Sequence, residues 1–206
     1  MSSMNTEEKK DKDALRWEAV KTEHLVKDEW IDFRRVAYRL PDGIIREPYY
    51  NFSRRSYVVI VATDKEGQYI CVCQYRYGIN EVTTEFVAGG IECEGKAEYL
   101  TAGEDPGKAE DTLAAAKREL QEETGYVSDE WEHLFTVPSN AMISDNYAYI
   151  YRARNCRKES SQEPDDGEFL TVETHSETEL EDLIDCGRFQ QAVHVMAYLL
   201  AKRREA

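Results

Sequence analysis

The chain has 206 residues, of which 41% are hydrophobic, and a formal net charge of −15. The length suits one domain with a sizeable core, and no apolar run reaches the roughly 18–20 residues of a membrane-spanning helix. Because nucleic-acid binding depends on Lys and Arg neutralising phosphates, an acidic chain without a long basic patch is not expected to bind an extended nucleic acid.

The first 16 residues are polar and charged, and they lack the apolar central region of a signal peptide. Residues 1–16 are therefore expected to form a disordered leader, and the protein is expected to be cytoplasmic and not to associate with a membrane.

Most of the chain that follows predicts β-strands. Residues 17–53 alternate loosely around the turn signal "PDG" and predict a small antiparallel sheet. The runs "SYVVIVAT" (56–63) and "QYICVCQYR" (68–76), joined by "DKEG", predict a hairpin, and "TTEFVAGG" (83–90) predicts the next strand. Three later strands are predicted near 133–137, 146–153 and 168–174.

Helices are predicted at three places. The first covers residues 109–124. Ser176 and Glu179 form a capping box that opens a second helix, and "RFQQAVHVMAYLLAKRR" predicts a final amphipathic helix. Strands around one internal helix, with two helices at the end, indicate the α+β class.

The first helix ends in "KRELQEETGY" (117–126), which raises an electrostatic question. At about 100° per residue, Glu119, Glu122 and Glu123 share one side of the helix. Like charges at this spacing destabilise a helix by roughly 0.2–0.5 kcal/mol per pair. An apolar stripe lies beside them, made of Leu113, Ala116, Leu120 and Thr124.

Two interpretations of these carboxylates are open. They are either a solvated acidic face or, because the apolar stripe places them at the edge of the core, ligands of a cation. Mg²⁺ prefers oxygen ligands and commonly combines a few carboxylates with water and substrate phosphates. The second interpretation therefore points to phosphate chemistry.

The same residues resemble the Nudix box, G-x5-E-x7-R-E-U-x-E-E-x-G-U with U apolar. Arg118 to Gly125 follow the pattern, and Glu110 lies eight residues before Arg118, as the pattern requires. Two departures are seen. Tyr126 takes the last apolar position, and twenty residues separate Gly89 from Glu110 where the pattern has five, an insertion of 15.

Outside the box, the chain is similar to the ADP-ribose and nucleoside-diphosphate-sugar pyrophosphatases. The similarity lies in "CQYRYG", "TEFVAGGIE", "PDDGEFLTVE" and "RFQQAVHVMAYLL". It implies a Nudix fold, a mixed β-sheet between helices with an N-terminal antiparallel sheet, and hydrolysis of a nucleoside-diphosphate sugar to a nucleoside monophosphate and a sugar phosphate. Alternatives are another diphosphate, such as GDP-mannose, UDP-glucose or a nucleoside triphosphate, and a non-catalytic Nudix ligand sensor.

The resemblance also implies a metal site for Mg²⁺, with Mn²⁺ as a possible substitute. Its expected ligands are the Ala88 carbonyl, Glu119 and Glu123, with Glu122 as a further ligand that also counts among the catalytic residues. Arg118 is expected to brace these glutamates. The remaining supporting positions of the box are Gly89, Glu110 and Gly125.

Substrate contacts are implied for residues outside the helix. Arg54 and Arg76 match arginines that contact the phosphates or the terminal sugar, and Glu85 matches an acid expected to help with substrate. Each arginine has a plain alternative, a surface ion pair. Trp30 is placed to stack on a base, with a core or dimer contact as the alternative.

The general base is expected from the loop "QEPDDGEF", which offers Glu163, Asp165, Asp166 and Glu168. Glu168 is favoured over Asp166. Residues 139–147, "SNAMISDNY", lie where substrate selectivity is often set in the family.

The N-terminal region implies an assembly. Residues 17–53 resemble the small sheet through which these enzymes form homodimers, and residues 54–206 are assigned to the Nudix domain. The expected partners are a small-molecule substrate and a second copy of the chain.

Overall fold

The computed structural model describes residues 12–92, 110–164 and 167–204. Most of the predicted leader, most of the insertion, and both Asp165 and Asp166 therefore lie outside the described residues. The chain divides into two compact units. The first consists of Met1–Arg54 and Asn140–Asp145, and the second of Arg55–Ser139 and Asn146–Ala206.

The first unit contains a three-stranded antiparallel sheet in the order β1-β2-β3. Its strands are β1 (Glu18–Lys27), β2 (Asp32–Arg39) and β3 (Ile45–Ser53). The predicted "PDG" turn connects β2 to β3, and Gly43 takes a φ of 83°, which residues with a Cβ rarely adopt. The predicted small sheet is thus present.

Aromatic side chains join the strands of this sheet. The ring of Trp17 meets those of Tyr38 and Tyr49 edge to face, with centroids 5.9 and 5.2 Å away. Several large apolar side chains of the described first unit nevertheless stay exposed: Val20, Leu25, Val26, Ile45 and Tyr50. Part of the apolar surface of this sheet therefore stays exposed.

The segment Asn140–Asp145 is held in the first unit by specific contacts. The carboxylate of Asp145 accepts hydrogen bonds from Arg34 Nη2 at 3.2 Å and from Ser53 Oγ at 2.5 Å. Phe52 forms a β-bridge with Ser144. These contacts join residues far apart in the sequence.

The second unit is built on a seven-stranded mixed sheet, in which six strands have the order β10-β5-β6-β4-β9-β7 and the seventh, β8, pairs with β9. The β4 and β9 strands are parallel, and the remaining pairs are antiparallel. The strands are β4 (Tyr57–Asp64), β5 (Tyr69–Arg76), β6 (Glu81–Gly90), β7 (Tyr126–Val127), β8 (Glu130–Pro138), β9 (Tyr147–Lys158) and β10 (Leu170–His175).

The helices of this unit are α1 (Thr112–Thr124), α2 (Glu177–Asp185) and α3 (Ala192–Arg203). Helix α1 begins later than predicted because Asp111 caps it, accepting hydrogen bonds from two backbone N–H groups of the first turn. The predicted capping box at the start of α2 is confirmed. In the parts of the chain that the structure describes, no helix combines the length and hydrophobicity of a membrane-spanning segment.

Alternation along β4 divides the core of this unit between the two faces of the sheet. On one face, Val58 and Ile60 belong to the cluster that contains Leu120 of α1. On the other, Val59 belongs to the cluster that contains Leu180 of α2, together with residues of α3. The helices therefore cover both faces of the sheet, as the resemblance to the Nudix family implied.

Candidate active site

Helix α1 carries its glutamates at the margin of the buried core. Glu119 and Glu123 are buried, whereas the side chain of Glu122 is 40% exposed. The neighbouring stripe packs as predicted, since Ala116 and Leu120 are fully buried. Packing of this stripe against the sheet is what removes the two glutamates from water.

Arg118 is the cation of this cluster. Its guanidinium donates to Glu110 Oε2 from Nη2 at 3.0 Å, and from Nη1 to Glu119 Oε1 at 2.8 Å and Glu122 Oε2 at 2.9 Å. A further bond runs from Nη2 to the carbonyl of Gly90 at 3.0 Å. One arginine thus joins the β6 end to three carboxylates, and the bracing role of Arg118 stays a prediction with which these contacts are compatible.

The end of β6 approaches Glu119 too closely for any side chain. A Cβ built on Gly89 would lie 2.0 Å from the Cδ of Glu119. Gly89 therefore allows the carboxylate to lie directly against the strand. The supporting role of Gly89 stays a prediction, and this close approach is compatible with it.

Burial strongly affects the protonation of the two inner glutamates. It raises the pKa of Glu119 to about 7, although Arg118 acts in the opposite direction. Burial also raises the pKa of Glu123 well above its usual range, the charge of Glu119 adds to the effect, and a backbone hydrogen bond from Ala88 opposes it. The Oε2 atom of Glu123 has no hydrogen-bond partner among the residues that the structure describes.

These residues fit a hard divalent cation. Crowded carboxylates, one with an unpartnered buried oxygen, are the donors that Mg²⁺ or Mn²⁺ prefers, and a cation would remove their repulsion. Within the described ranges, no group of three or more His, Cys, Asp and Glu side chains has the geometry of a formed metal site. Glu119 and Glu122 are instead hydrogen-bonded to Arg118.

Gly125 brings the loop after β9 against the end of α1. It has a φ of 75°, and a Cβ there would lie 2.1 Å from the carbonyl oxygen of Ser160. The N–H of Glu163 then donates to the carbonyl of Glu122 at 2.7 Å. Gly125, at which α1 ends, is thus also the point where the loop after β9 crosses the helix.

Glu168 belongs to the electrostatic surroundings of the cluster. Its charge raises the pKa values of Glu119 and Glu123, although burial is the larger cause for each. Glu168 itself is exposed. Asp166, the other candidate base, lies outside the described residues, so both assignments stay predictions.

Arg76 and Glu85 form a pair at the neighbouring strands β5 and β6. Arg76 Nη2 lies 2.6 Å from Glu85 Oε2, and the Glu85 side chain is fully buried. The predicted substrate contact of Arg76 is compatible with its 35% exposed side chain. A direct substrate contact by Glu85 would require its carboxylate to leave this pair.

The two remaining predicted substrate residues lie in the first unit. Trp30 follows β1 in the β1–β2 turn and is 68% exposed, and Arg54 follows β3 and is exposed. Their predicted roles stay predictions.

The ends of the insertion are paired with each other. The N–H of Glu110 donates to the carbonyl of Glu92 at 2.8 Å, and the N–H of Glu92 donates to Glu110 Oε2 at 3.3 Å. The inserted residues between them lie outside the described residues. This pairing holds Glu110 beside the end of β6, next to the start of α1.

Three residues near Glu85 were not identified from the sequence. Thr83 donates a short hydrogen bond to Glu85 Oε1, and Gln191 donates to the same oxygen at 3.4 Å. The Nδ1 atom of His194 accepts a hydrogen bond from the N–H of Phe86 at 3.1 Å. A Thr-x-Glu spacing on a strand places Thr83 beside Glu85, but no sequence signal marks the other two.

Comparison with known proteins supplies relatives with named activities. An ADP-ribose pyrophosphatase of Bacillus subtilis is 25% identical over 178 residues, covering 83% of this chain and 83% of that protein. An ADP-ribose pyrophosphatase of Mycobacterium tuberculosis is 28% identical over 144 residues, covering 69% of this chain and 61% of that protein. A methanol dehydrogenase activator of Bacillus methanolicus is 26% identical over 160 residues, covering 74% and 75%.

The fold and the family agree with these relatives. The crystal structure of an ADP compounds hydrolase matches with a TM-score of 0.73 at 22% identity, covering 91% of this chain and 93% of that one. The predicted Nudix fold and the resemblance to the ADP-ribose pyrophosphatases are confirmed. The family model of the NUDIX domain matches residues 53–197, more than half of the chain. The chain therefore belongs to the NUDIX family and is a Nudix hydrolase.

Proposed function

We propose that this protein hydrolyses the diphosphate of ADP-ribose or a related nucleoside-diphosphate sugar and requires Mg²⁺, with Mn²⁺ as a possible substitute. The products are a nucleoside monophosphate and a sugar phosphate. Support comes from the names of the two relatives called ADP-ribose pyrophosphatase. Nudix hydrolases generally use divalent metal ions.

The observation that carries the proposal is the buried carboxylate of Glu123. Its Oε2 atom has no hydrogen-bond partner in the described structure, and Glu119 lies close enough to raise its pKa. A buried polar atom without a partner destabilises a protein by about 1–3 kcal/mol, and more when it is charged. A bound cation would offset that loss.

Glu119, Glu123 and the Ala88 carbonyl are assigned to hold the cation, with Glu122 as a further ligand. When bound, a divalent cation neutralises diphosphate charge and lowers the pKa of a coordinated water. Arg118 is assigned to orient these carboxylates, and its hydrogen bonds to Glu119 and Glu122 support that role.

The reaction itself needs a proton acceptor. Water attacks one phosphorus, the bond from that phosphorus to the bridging oxygen breaks, and the departing phosphate keeps the bond electrons. Glu168 is assigned to take the proton of the attacking water, because its charge already acts on Glu119 and Glu123. Asp166 is the alternative base.

Arg76 is assigned to bind the phosphates, since its charge interacts with Glu123 and Glu168 and part of its guanidinium is exposed. Arg54 is assigned to the phosphates or the terminal sugar, and Trp30 to the base. Residues 139–147 are assigned to substrate selection.

The test is a panel of nucleotide sugars, dinucleotides and nucleoside triphosphates with Mg²⁺ or Mn²⁺, in which monophosphate release is measured. Turnover of ADP-ribose with a kcat/KM at least tenfold above the other compounds supports the proposal. Turnover of triphosphates alone contradicts it. A preference for GDP-mannose or UDP-glucose keeps the reaction and changes the substrate.

A homodimer formed through residues 17–53 is part of the proposal. It is supported by the exposed apolar side chains of β1 and β3. Sedimentation of the full chain tests it, with a dimer expected for the wild type. Leu25→Asp and Ile45→Asp together are expected to shift the protein to a monomer.

A further inference from the structure

The hydrogen bonds of Glu85 involve both of its carboxylate oxygens. Its Oε2 atom accepts from Arg76 at 3.1 Å from Nε and 2.6 Å from Nη2. Its Oε1 atom accepts from Arg76 Nε at 2.9 Å, from Thr83 Oγ1 over a short distance, and from Gln191 Nε2 at 3.4 Å. Both oxygens of a fully buried carboxylate are thus occupied by protein donors.

The protonation of Glu85 agrees with this arrangement. Burial alone would raise its pKa, but the hydrogen bonds from Arg76 and Thr83 outweigh burial and lower the pKa. The group is therefore an ionised carboxylate whose charge is balanced by Arg76 rather than by solvent. A buried ionised group is retained when it has a complete set of partners.

Arg76 is bonded on one side only. In the described part of the chain, its hydrogen bonds to Glu85 use Nε and Nη2, which leaves Nη1 for another acceptor. The charges of Glu123 and Glu168 also act on it. The guanidinium, with N–H groups that Glu85 does not use, thus lies within electrostatic range of the candidate metal ligand Glu123.

Helix α3 contributes to the same arrangement. Gln191 stands at the N-cap of α3, but its side chain does not cap the helix. It donates instead to Glu85, while His194, one turn further on, accepts from the N–H of Phe86. The start of α3 is therefore tied to two successive residues of β6.

We propose that Glu85 is a positioning residue for Arg76, and that Thr83 and Gln191 hold Glu85 so that Arg76 presents Nη1 to the substrate diphosphate. This inference rests on the proposed function in requiring a diphosphate ligand. It assigns Glu85 no contact with substrate. An arginine fixed on one edge by a carboxylate loses little conformational freedom when it binds a phosphate. Removal of that carboxylate therefore weakens phosphate binding, although the charge of the arginine remains.

The experiment measures the affinity for inorganic pyrophosphate by calorimetry in the presence of Mg²⁺. Arg76→Ala is expected to weaken binding about 30-fold, as loss of a charged hydrogen bond does, and Glu85→Gln about tenfold. The double variant is expected to bind no more weakly than Arg76→Ala. Mn²⁺ affinity, measured by electron paramagnetic resonance without pyrophosphate, is expected to stay unchanged in all three.

A milder variant avoids disturbance of the buried pair. Gln191→Ala is expected to weaken pyrophosphate binding about threefold and to have no effect in the Arg76→Ala background. Its matched control is Gln190→Ala, because Gln190 is the adjacent exposed glutamine. Equal effects at both positions would contradict the role of Gln191.

Other outcomes separate this inference from the proposed function. If the losses of Arg76→Ala and Glu85→Gln multiply in the double variant, Glu85 contacts the ligand directly and the inference is overturned. Loss of Mn²⁺ affinity in Glu85→Gln, or no pyrophosphate binding by the wild type, also overturns it. If no nucleotide sugar is hydrolysed but the non-additive pattern holds, the proposed function fails and the positioning role stands.

Discussion

Glu85 and Glu123 are both buried glutamates of the second unit, but their surroundings differ. Glu85 is 0% exposed and has partners on both oxygens, so its pKa is lowered. Glu123 is 2% exposed and has one oxygen without a partner among the described residues; burial, with the charges of Glu119 and Glu168, raises its pKa, and a single backbone hydrogen bond from Ala88 does not offset these effects. Equal burial therefore has opposite consequences, because the donors around each carboxylate decide whether its charge is stabilised.

This difference separates two kinds of function. The carboxylate that already has a full set of donors is suited to hold another side chain in place. The carboxylate without one is suited to accept a cation that arrives with the substrate. Four predictions test the contrast, from the largest expected effect to the smallest.

Glu123→Gln is expected to reduce kcat/KM for the preferred diphosphate about 10³-fold, equivalent to about 4 kcal/mol, because it removes a charged metal ligand. The free energy of unfolding, measured without metal, is not expected to fall, because the amide of Gln carries no charge whose burial would destabilise the fold. Hydrolysis assays and urea unfolding measure the two effects. Glu66→Gln, at an exposed turn position, is the control. If Glu123→Gln hydrolysed the diphosphate as fast as the wild type, the proposed metal site would be excluded.

Glu85→Leu, unlike Glu123→Gln, is expected to lower the free energy of unfolding. Removal of one partner of a buried ion pair leaves Arg76 and Thr83 without their acceptor, so the unfolding free energy should fall by about 3 kcal/mol. Urea unfolding measures it. Glu130→Leu, at an exposed strand position, should change stability by about 0.5 kcal/mol or less. Similar losses for both variants would mean that the Arg76 pair adds no stability.

His194 extends the contrast to a buried base beside Glu85. Burial lowers its pKa to about 4; the charge of Glu85 opposes this shift and the charge of Arg76 adds to it. The unfolded state, with a pKa near 6.5, binds the proton first as the pH falls. Neutral His194 therefore makes its full contribution to the free energy of unfolding above about pH 6.5. The contribution declines as the pH falls towards 4, and the loss at pH 5 is about 2 kcal/mol.

The comparison for this prediction is His194→Asn, whose side-chain oxygen can still accept from the N–H of Phe86. Its loss of stability between pH 7.5 and pH 5, measured by urea unfolding, should be smaller than that of the wild type by about 2 kcal/mol. Parallel stability curves for the two proteins would show that His194 does not titrate as described.

Gly89→Ala is expected to have the smallest effect. The new Cβ would displace the Glu119 carboxylate, a flexible group, so the fold should survive while Mn²⁺ affinity drops about tenfold, or about 1.4 kcal/mol. Mn²⁺ titration and thermal unfolding measure the two properties. Gly78→Ala meets nothing within 4 Å and is the control. Unchanged Mn²⁺ affinity would remove Glu119 from the metal ligands.

The arrangement of the glutamates on α1 was predictable because it depends on residues close together in the sequence. Residues three and four apart on a helix face the same side, so Arg118 and the glutamates around it follow from spacing. The same spacing placed Leu120 beside them in the core. The helix start was predicted less well, since Asp111 as a cap looks no different from the other acids of this stretch.

The surroundings of Glu85 were not predictable in this way. The contact with Gln191 spans 106 residues, and the contact between Phe86 and His194 spans 108. No periodicity connects positions so far apart. The same holds for Asn140–Asp145, which the sequence assigns to the Nudix domain and the structure groups with the N-terminal sheet.

The sequence by itself determined the α+β class, the carboxylates that face one way on α1 and the family. Helical and strand periods, caps and turns act over a few residues, which makes these features visible in the sequence. Only the tertiary structure decided that both oxygens of Glu85 have donors and that one oxygen of Glu123 has none among the described residues. Burial and hydrogen bonding depend on strands and helices that meet across the fold, and they set the charge and role of each glutamate.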